Sequence, residues 1–425
     1  MDITEASGAS NWGSNPHRPA LTLQSNTFLS IDSVLLDMQL TPEEQAMLAG
    51  KEGKAKRKAM ELLVALGAIY GADRLVPITS AHLSGVSYKT IGEGGIDFLE
   101  EMAADGKVVV PTTLNPMGMD GERWKEMGVD QHFADRQLLI ISLYEKMGVE
   151  VNCTCTPYLL TNRPKVGDHI AWAESSALSF ANSVLGARTN REGGPGALAA
   201  AITGRTPNYG LHLDQNRRAT HVVEVEKGIT KDEWSLVGHA VGRKLGACIP
   251  FFRGLGNDVN CLKSLAAAMA AAGSVAMFMV ENATPEQPDS LEGLPVVKIT
   301  RQDIEDTVKR LRTGTKPDLI AIGCPHLSER EMKELAGFLD GKRKKGDVEV
   351  WFCTSKGVWL RCPKERAVLE RFGKVLCDTC MVVAPIEGKH KVTASDSAKA
   401  CAYLPGLCSQ KVYCGSRREL MEMML

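Results

Sequence analysis

The sequence predicts a multidomain α/β fold with mainly parallel, doubly wound sheets. Three observations carry that expectation. Short apolar, β-rich runs alternate with helical stretches along most of the chain. Several of those runs end in a turn that feeds a helix-capping signal. With 425 residues and 44% hydrophobic content, the chain exceeds what one core needs.

Taken in order, residues 1–38 are rich in Ser, Asn, Gly and Pro and are expected to form an extension or docking arm. Structure starts at Thr41-Pro42-Glu43-Glu44, a capping box with proline at the first helical position. A helix is predicted over 54–70, ended by Gly71. Val108-Val109-Val110 is expected as a strand, 124–147 as mostly helix and 149–155 as a strand. Residues 262–272 read as a helix of small residues, leading through Gly273 into an apolar strand over 275–280. The proline-bearing stretch 282–294 is expected to link a first α/β region, 39–285, to a C-terminal α/β domain, 296–425. Within that domain helices are expected at 300–311 and 329–339, and strands at 318–322 and 348–353. No internal repeat is visible.

Fifty Lys and Arg balance 51 Asp and Glu, for a net charge of -1. That gives no footprint for nucleic acid or an anionic membrane. No stretch is long and apolar enough to span a bilayer. The N-terminus lacks a basic start and an apolar core, so no secretory signal is visible and a cytoplasmic location is expected. Twelve cysteines are then read as buried thiols, metal or cluster ligands, or nucleophiles, rather than a disulfide framework.

Three cysteine segments stand out. Cys324, in Gly323-Cys324-Pro325-His326, follows the apolar run Asp318 to Ile322 and precedes a capping box of Ser328 and Glu331. It should therefore stand at the carboxyl end of a strand, where open α/β sheets place their ligands. Cys377-Asp378-Thr379-Cys380 is a C-x-x-C turn, open to zinc, cluster and redox readings alike. No second C-x-x-C completes a four-thiolate zinc site. In Asn152-Cys153-Thr154-Cys155-Thr156-Pro157-Tyr158, the two cysteines would share one face of a strand that Pro157 ends.

These segments carry a family resemblance. From about Leu40 onward the chain resembles the aconitase X family, through LTPEEQAMLAG, VPTTLNPMGMD, CTCTPYLLTNRPKVGDHIAWAESSA, DLIAIGCPHLS and CDTCMVVAPI. The resemblance implies an aconitase-like multidomain fold and a hydro-lyase with an iron–sulfur cluster of 2Fe–2S, 3Fe–4S or 4Fe–4S type. It implies dehydration of cis-3-hydroxy-L-proline to Δ1-pyrroline-2-carboxylate, with mevalonate 5-phosphate as the alternative substrate. It also implies a small swivelling partner subunit, because no counterpart of that part is found here. Ordinary aconitases combine a C-x-x-C with a strand-end cysteine, which would select Cys377, Cys380 and Cys324. The aconitase X pattern centres on TCTPY, GCPH and DTCMVV, which favours Cys155, Cys324 and Cys380, with Cys377 and Cys153 as alternatives.

Dehydration of a 3-hydroxy acid needs a base for the α proton, stabilisation of developing negative charge, and help for the departing hydroxyl. Arg188, Asn190 and Arg191, on a glycine-bearing loop, are the expected carboxylate clamp. Ser80 to Lys89 form a second polar segment, with Ser80 for binding and His82, Ser84 and Lys89 as catalytic candidates. His212 and Asp214 are expected on one face of a short strand, as a His–Asp pair near Arg217. Asn115 and His326 are lesser candidates. The rival class, an iron- or redox-sensing binding protein on the same scaffold, would need a nucleic-acid surface that the charge balance does not offer.

Overall fold

The computed structural model describes residues 38–425. The expected N-terminal extension lies outside them, except for Met38, whose methyl group fills the space a side chain at Gly67 would need. The capping box forms as the sequence dictates: the Glu44 N–H donates to Thr41 Oγ1 at 3.3 Å, and the Thr41 N–H donates to Glu44 Oε2 at 2.8 Å. Helix Pro42–Leu48 follows. Helix Lys54–Tyr70 ends at Gly71, whose φ of 70° a larger residue would resist.

Three parallel sheets succeed one another along the chain. The first has spatial order Glu150–Cys153, Thr112–Leu114, Ala81–Leu83, Ala171–Trp172. The second runs Val296–Ile299, His221–Val225, Pro250–Arg253, Met279–Val280. The third runs Lys374–Cys377, Glu349–Thr354, Leu319–Leu327, Val392–Ser395, Lys411–Cys414. Numbered within each sheet by chain order, all three share the arrangement 3-2-1-4, and the third adds a fifth strand. The repeat is one of topology, invisible as sequence similarity. A short antiparallel pair, Leu75–Pro77 with Arg205–Pro207, brackets the first sheet. Strand Val296–Ile299 pairs with His221–Val225, so the boundary expected at 296 falls inside the second sheet.

The third sheet is buried on both faces, as a doubly wound sheet must be. Leu319, Ala321, Trp351 and Leu376 enter one core, while Ile320, Ile322, Val350, Phe352 and Val375 enter the other. Helices Arg301–Leu311 and Glu329–Leu339 open on capping boxes at Thr300 and Ser328.

Three expectations are corrected. Residues 108–110 are not a strand; the Val108 and Val109 N–H groups go to Met147 and Ala201 carbonyls, and the strand is Thr112–Leu114, beyond Pro111. Over 275–280 only Met279–Val280 pairs. Ser183 accepts the Phe278 N–H and Asn182 donates to the Ala276 carbonyl, so side chains replace a strand partner there. Over 124–147 the helix begins only at Gln131, where Asp130 caps it and Gly128 has already broken the preceding turns.

Candidate active site

The chain order of a 3-2-1-4 sheet reverses between strands 1 and 4, and the crevice beyond their carboxyl ends is the natural ligand site. In the first sheet that crevice lies past Ala81–Leu83 and Ala171–Trp172, at Ser84 and Glu174. In the third it lies past Leu319–Leu327 and Val392–Ser395, at Cys324 and Lys399. The two crevices meet, because Lys399 makes an ion pair with Glu174. Both groups are buried. Glu174 also accepts from Asn115 Nδ2 at 2.9 Å and from Ser176 Oγ at 2.8 Å. Burial alone would raise its pKa, but Lys399 and Ser176 more than offset that and hold it down to about 2. Burial works against the Lys399 cation, and Glu174 with the nearby thiols Cys324 and Cys155 overrides it upward.

Two thiols, Cys155 and Cys324, act on this pair, and a third, Cys380, lies beside them. Cys155 sits in the turn after Glu150–Cys153, where its Sγ accepts the His326 N–H at 3.2 Å. Cys324 lies where the register of Leu319–Leu327 shifts against its neighbour strand. The cause is Gly323, with φ of 113°: a Cβ there would stand 2.2 Å from the Cys353 carbonyl oxygen. Such irregularities re-aim a side chain beside a site. Cys380 follows Asp378, a non-glycine residue with φ of 61°.

The thiols lie in one electrostatic neighbourhood. Burial pushes Cys155 up to about 12, with Cys324 adding to the rise and Lys399 opposing it. Burial also raises Cys380, and Cys324 and Cys155 raise it further. Cys377 is raised by burial and then by Asp120 and Asp378, and its N–H donates to Asp120 Oδ2 at 2.7 Å. Cys153 is raised by burial, Asp378 and Glu145. Cys155, Cys324 and Cys380 thus share a buried neighbourhood that Cys353 also enters, while Cys153 and Cys377 face Asp378, Glu145 and Asp120 instead.

His326 ties the group together. Its Nε2–H donates to the Thr379 carbonyl at 2.9 Å, so Nδ1 accepts from Thr154 Oγ1 at 3.0 Å. Burial holds the ring neutral, down to about 4. Among the described residues no group of three or more His, Cys, Asp or Glu is placed to hold a metal ion. A cluster spreads its thiolates over several irons, so its ligands stand farther apart than those of one ion. All three cysteines are unoxidised. Tyr158 Oη and Thr379 Oγ1, on two of the thiol segments, and Asn115 Oδ1, on the residue that donates to Glu174, are buried with no hydrogen-bond partner. Such orphans are uncommon inside proteins. Donor chemistry and orphaned polar atoms together fit a bound, polar, sulfur-ligated group.

Comparison with known proteins decides the family. Residues 37–215, 219–309 and 317–425 match the family descriptions "Aconitase X first domain", "Aconitase X second domain" and "Aconitase X third domain". The chain belongs to the aconitase X family. It is 47% identical over 404 residues to the "Phosphomevalonate dehydratase large subunit" of Methanocaldococcus jannaschii, covering 91% of this chain and 100% of that protein. It is 35% identical over 389 residues to the "Cis-3-hydroxy-L-proline dehydratase" of Pseudomonas aeruginosa, covering 87% of this chain and 67% of that one. The crystal structure of Thermococcus kodakaraensis aconitase X, holo-form, superposes with a TM-score of 0.85 at 44% identity, over 91% of this chain and 100% of that one. As a member of this family the chain is a dehydratase, a carbon–oxygen lyase. No helix among the described residues is long and apolar enough to cross a membrane.

The other residues expected of this aconitase X site scatter more widely. His82 is fully buried in Ala81–Leu83, with Nδ1 2.8 Å from Thr113 Oγ1; burial, partly countered by Glu174, holds it down to about 4. Ser84 stands at the crevice, its carbonyl oxygen 2.7 Å from where a Cβ on Gly194 would lie. Ser80 accepts from Trp172 Nε1 at 3.2 Å. Lys89 reaches away, to the Ala384 carbonyl, Cys408 Sγ and Glu387. Arg188 donates to the His212 carbonyl and pairs with Asp214. The Asn190 amide is used by Tyr209 and Leu211. Arg191 donates to the Ala270 carbonyl at 3.3 Å. His212 and Asp214 are not on a strand; they lie in successive 3-10 turns, and His212 Nδ1 meets His169 Nδ1 at 2.8 Å instead of a carboxylate. Arg217 is bound to Glu286 and the carbonyls of Asn182 and Ala187. Glu174, Lys399, Ser176, Tyr158 and Thr379 were not singled out from sequence; only the strand-to-helix turns around Glu174 and Lys399 hinted at them.

Proposed function

We propose that this chain is the large subunit of a phosphomevalonate dehydratase. In this reading Cys155, Cys324 and Cys380 hold an iron–sulfur cluster, and a small partner subunit completes the site. The observation that carries the substrate choice is the ranking of relatives. A phosphomevalonate dehydratase large subunit is 47% identical and matched along 100% of its length, against 35% and 67% for a hydroxyproline dehydratase. That reverses the order of substrates expected from the sequence.

Cys155, Cys324 and Cys380 would hold the cluster, which would supply a Lewis acid for the departing hydroxyl. The chain supplies the rest of its half-site. Lys399, kept cationic by Glu174, offers fixed positive charge to a substrate carboxylate and to the charge that builds on it. Glu174 and Ser176 hold that ammonium in place, and Asn115 holds Glu174. His82, neutral and fully buried in Ala81–Leu83, lies behind the crevice and is held there through Thr113. Ser84, at the crevice, binds a substrate oxygen.

The test is an anaerobic assay of the chain co-purified with its small subunit and reconstituted with iron and sulfide. Mevalonate 5-phosphate should be dehydrated and cis-3-hydroxy-L-proline left unchanged. Turnover of hydroxyproline alone would overturn the substrate assignment. Bound iron that is undiminished in both Cys324→Ser and Cys380→Ser would overturn the cluster assignment.

A further inference from the structure

The second sheet and its helices supply none of Cys155, Cys324 and Cys380 and no residue of the Glu174–Lys399 pair. One of their side chains nevertheless reaches the thiol group. Lys263 lies in helix Val259–Gly273 amid leucines and alanines and is fully buried, with 1% side-chain exposure. Its Nζ donates to the His326 carbonyl oxygen at 2.8 Å and pairs with the Glu331 carboxylate. Glu331 is held in turn by the Ser328 N–H at 2.9 Å and by Arg417 at 3.2 Å.

His326 touches all three thiol segments. It follows Cys324 by two residues. Its N–H donates to Cys155 Sγ, and its ring donates to the carbonyl of Thr379, the residue before Cys380. A buried ion pair of this kind is often no more stabilising than an apolar replacement of the same volume. Stability alone therefore does not explain an ammonium at this place in an alanine-rich helix. What the ammonium does and a methionine could not is grip the His326 carbonyl from the opposite side.

We propose that Lys263 is a positioning residue through which the second domain sets the spacing of Cys155, Cys324 and Cys380, acting by way of His326. The proposal rests on the reading that these thiols hold a cluster. Its test separates the two.

In Lys263→Met, iodoacetamide labelling of Cys155 in the iron-free chain rises about tenfold, because the segment carrying His326 loosens and opens the buried thiol to the reagent. After anaerobic reconstitution the variant binds several-fold less iron, and its visible absorption differs from that of the parent. Lys263→Arg restores both. Far-UV circular dichroism and elution volume stay those of the parent. Should Lys263→Met fold poorly, the double variant Lys263→Met/Glu331→Gln removes the half-paired carboxylate and is read in the same way. Parental labelling rates in a folded Lys263→Met chain, or no rescue by Lys263→Arg, overturn the proposal. A parent that binds no iron overturns the cluster reading instead, while the labelling comparison still decides the role of Lys263.

Discussion

Glu192 is a carboxyl set where a carboxylate is costly. It is buried, its Oε1 has no partner, and burial pushes its pKa up to about 7. A folded-state pKa above the unfolded value favours the protonated form, so stability falls as pH rises from about 4.5 to about 7. Glu192→Gln should therefore stabilise the chain at pH 8 by on the order of 3 kcal/mol and have little effect at pH 4. Urea unfolding at the two pH values checks this; equal effects at both would reject it. Lys399→Met should behave in the opposite sense, since it strands Glu174 in a buried site, at a cost of about 3–5 kcal/mol. Adding Glu174→Gln should recover part of that loss in the same unfolding measurement. The three cysteine segments stood out because strand ends and turns leave local signatures, whereas the choice of Cys155, Cys324 and Cys380 within them came from the family pattern. Glu174 and Lys399 did not stand out, because neither has a distinctive neighbourhood and only tertiary packing of two sheets makes them a pair.

At the scale of elements, the local chemistry of helix starts was legible in the sequence. Thr41 and Ser328 each cap the helix that their pattern announced, and Thr300, read as the first residue of its helix, caps it instead. Ser328→Ala should cost about 1 kcal/mol in chemical unfolding, because the Glu331 N–H loses its acceptor and Asn260 Oδ1 loses its donor. Strands were harder. Val108-Val109-Val110 has strand composition, but its N–H groups are taken by a helix end and a turn. Gly323 matters more than its size suggests, because strand Leu319–Leu327 needs both its positive φ and its missing side chain. Gly323→Ala should destabilise the chain by more than about 2 kcal/mol and displace Cys324. Thermal melts and bound iron after reconstitution report the two effects, and an unchanged iron content would reject the second.

Across the whole molecule, four buried histidines set the acid limit. Burial holds His82, His239 and His326 down to about 4 and His212 to about 3. A depressed histidine pKa means the unfolded chain binds protons first, so stability falls as pH drops from about 6.5 toward 4. Glu192 and Asp378, both pushed up to about 7 by burial, work the other way, but two groups do not offset four. The melting temperature should therefore fall steeply over that window, and a flat profile from pH 7 to pH 4 would refute the account. The α/β class was legible from alternation of strands and helices. The threefold recurrence of one strand order was not, since topology repeats here without repeated residues. That recurrence also governs when the protein can mature. Each parallel sheet is contiguous in the chain, so each can form as it leaves the ribosome. The thiol group is not contiguous: Cys155 emerges with the first sheet and Cys380 near the end of synthesis. A cofactor held by all three thiols must be delivered after translation, to a chain already folded around the place it will occupy.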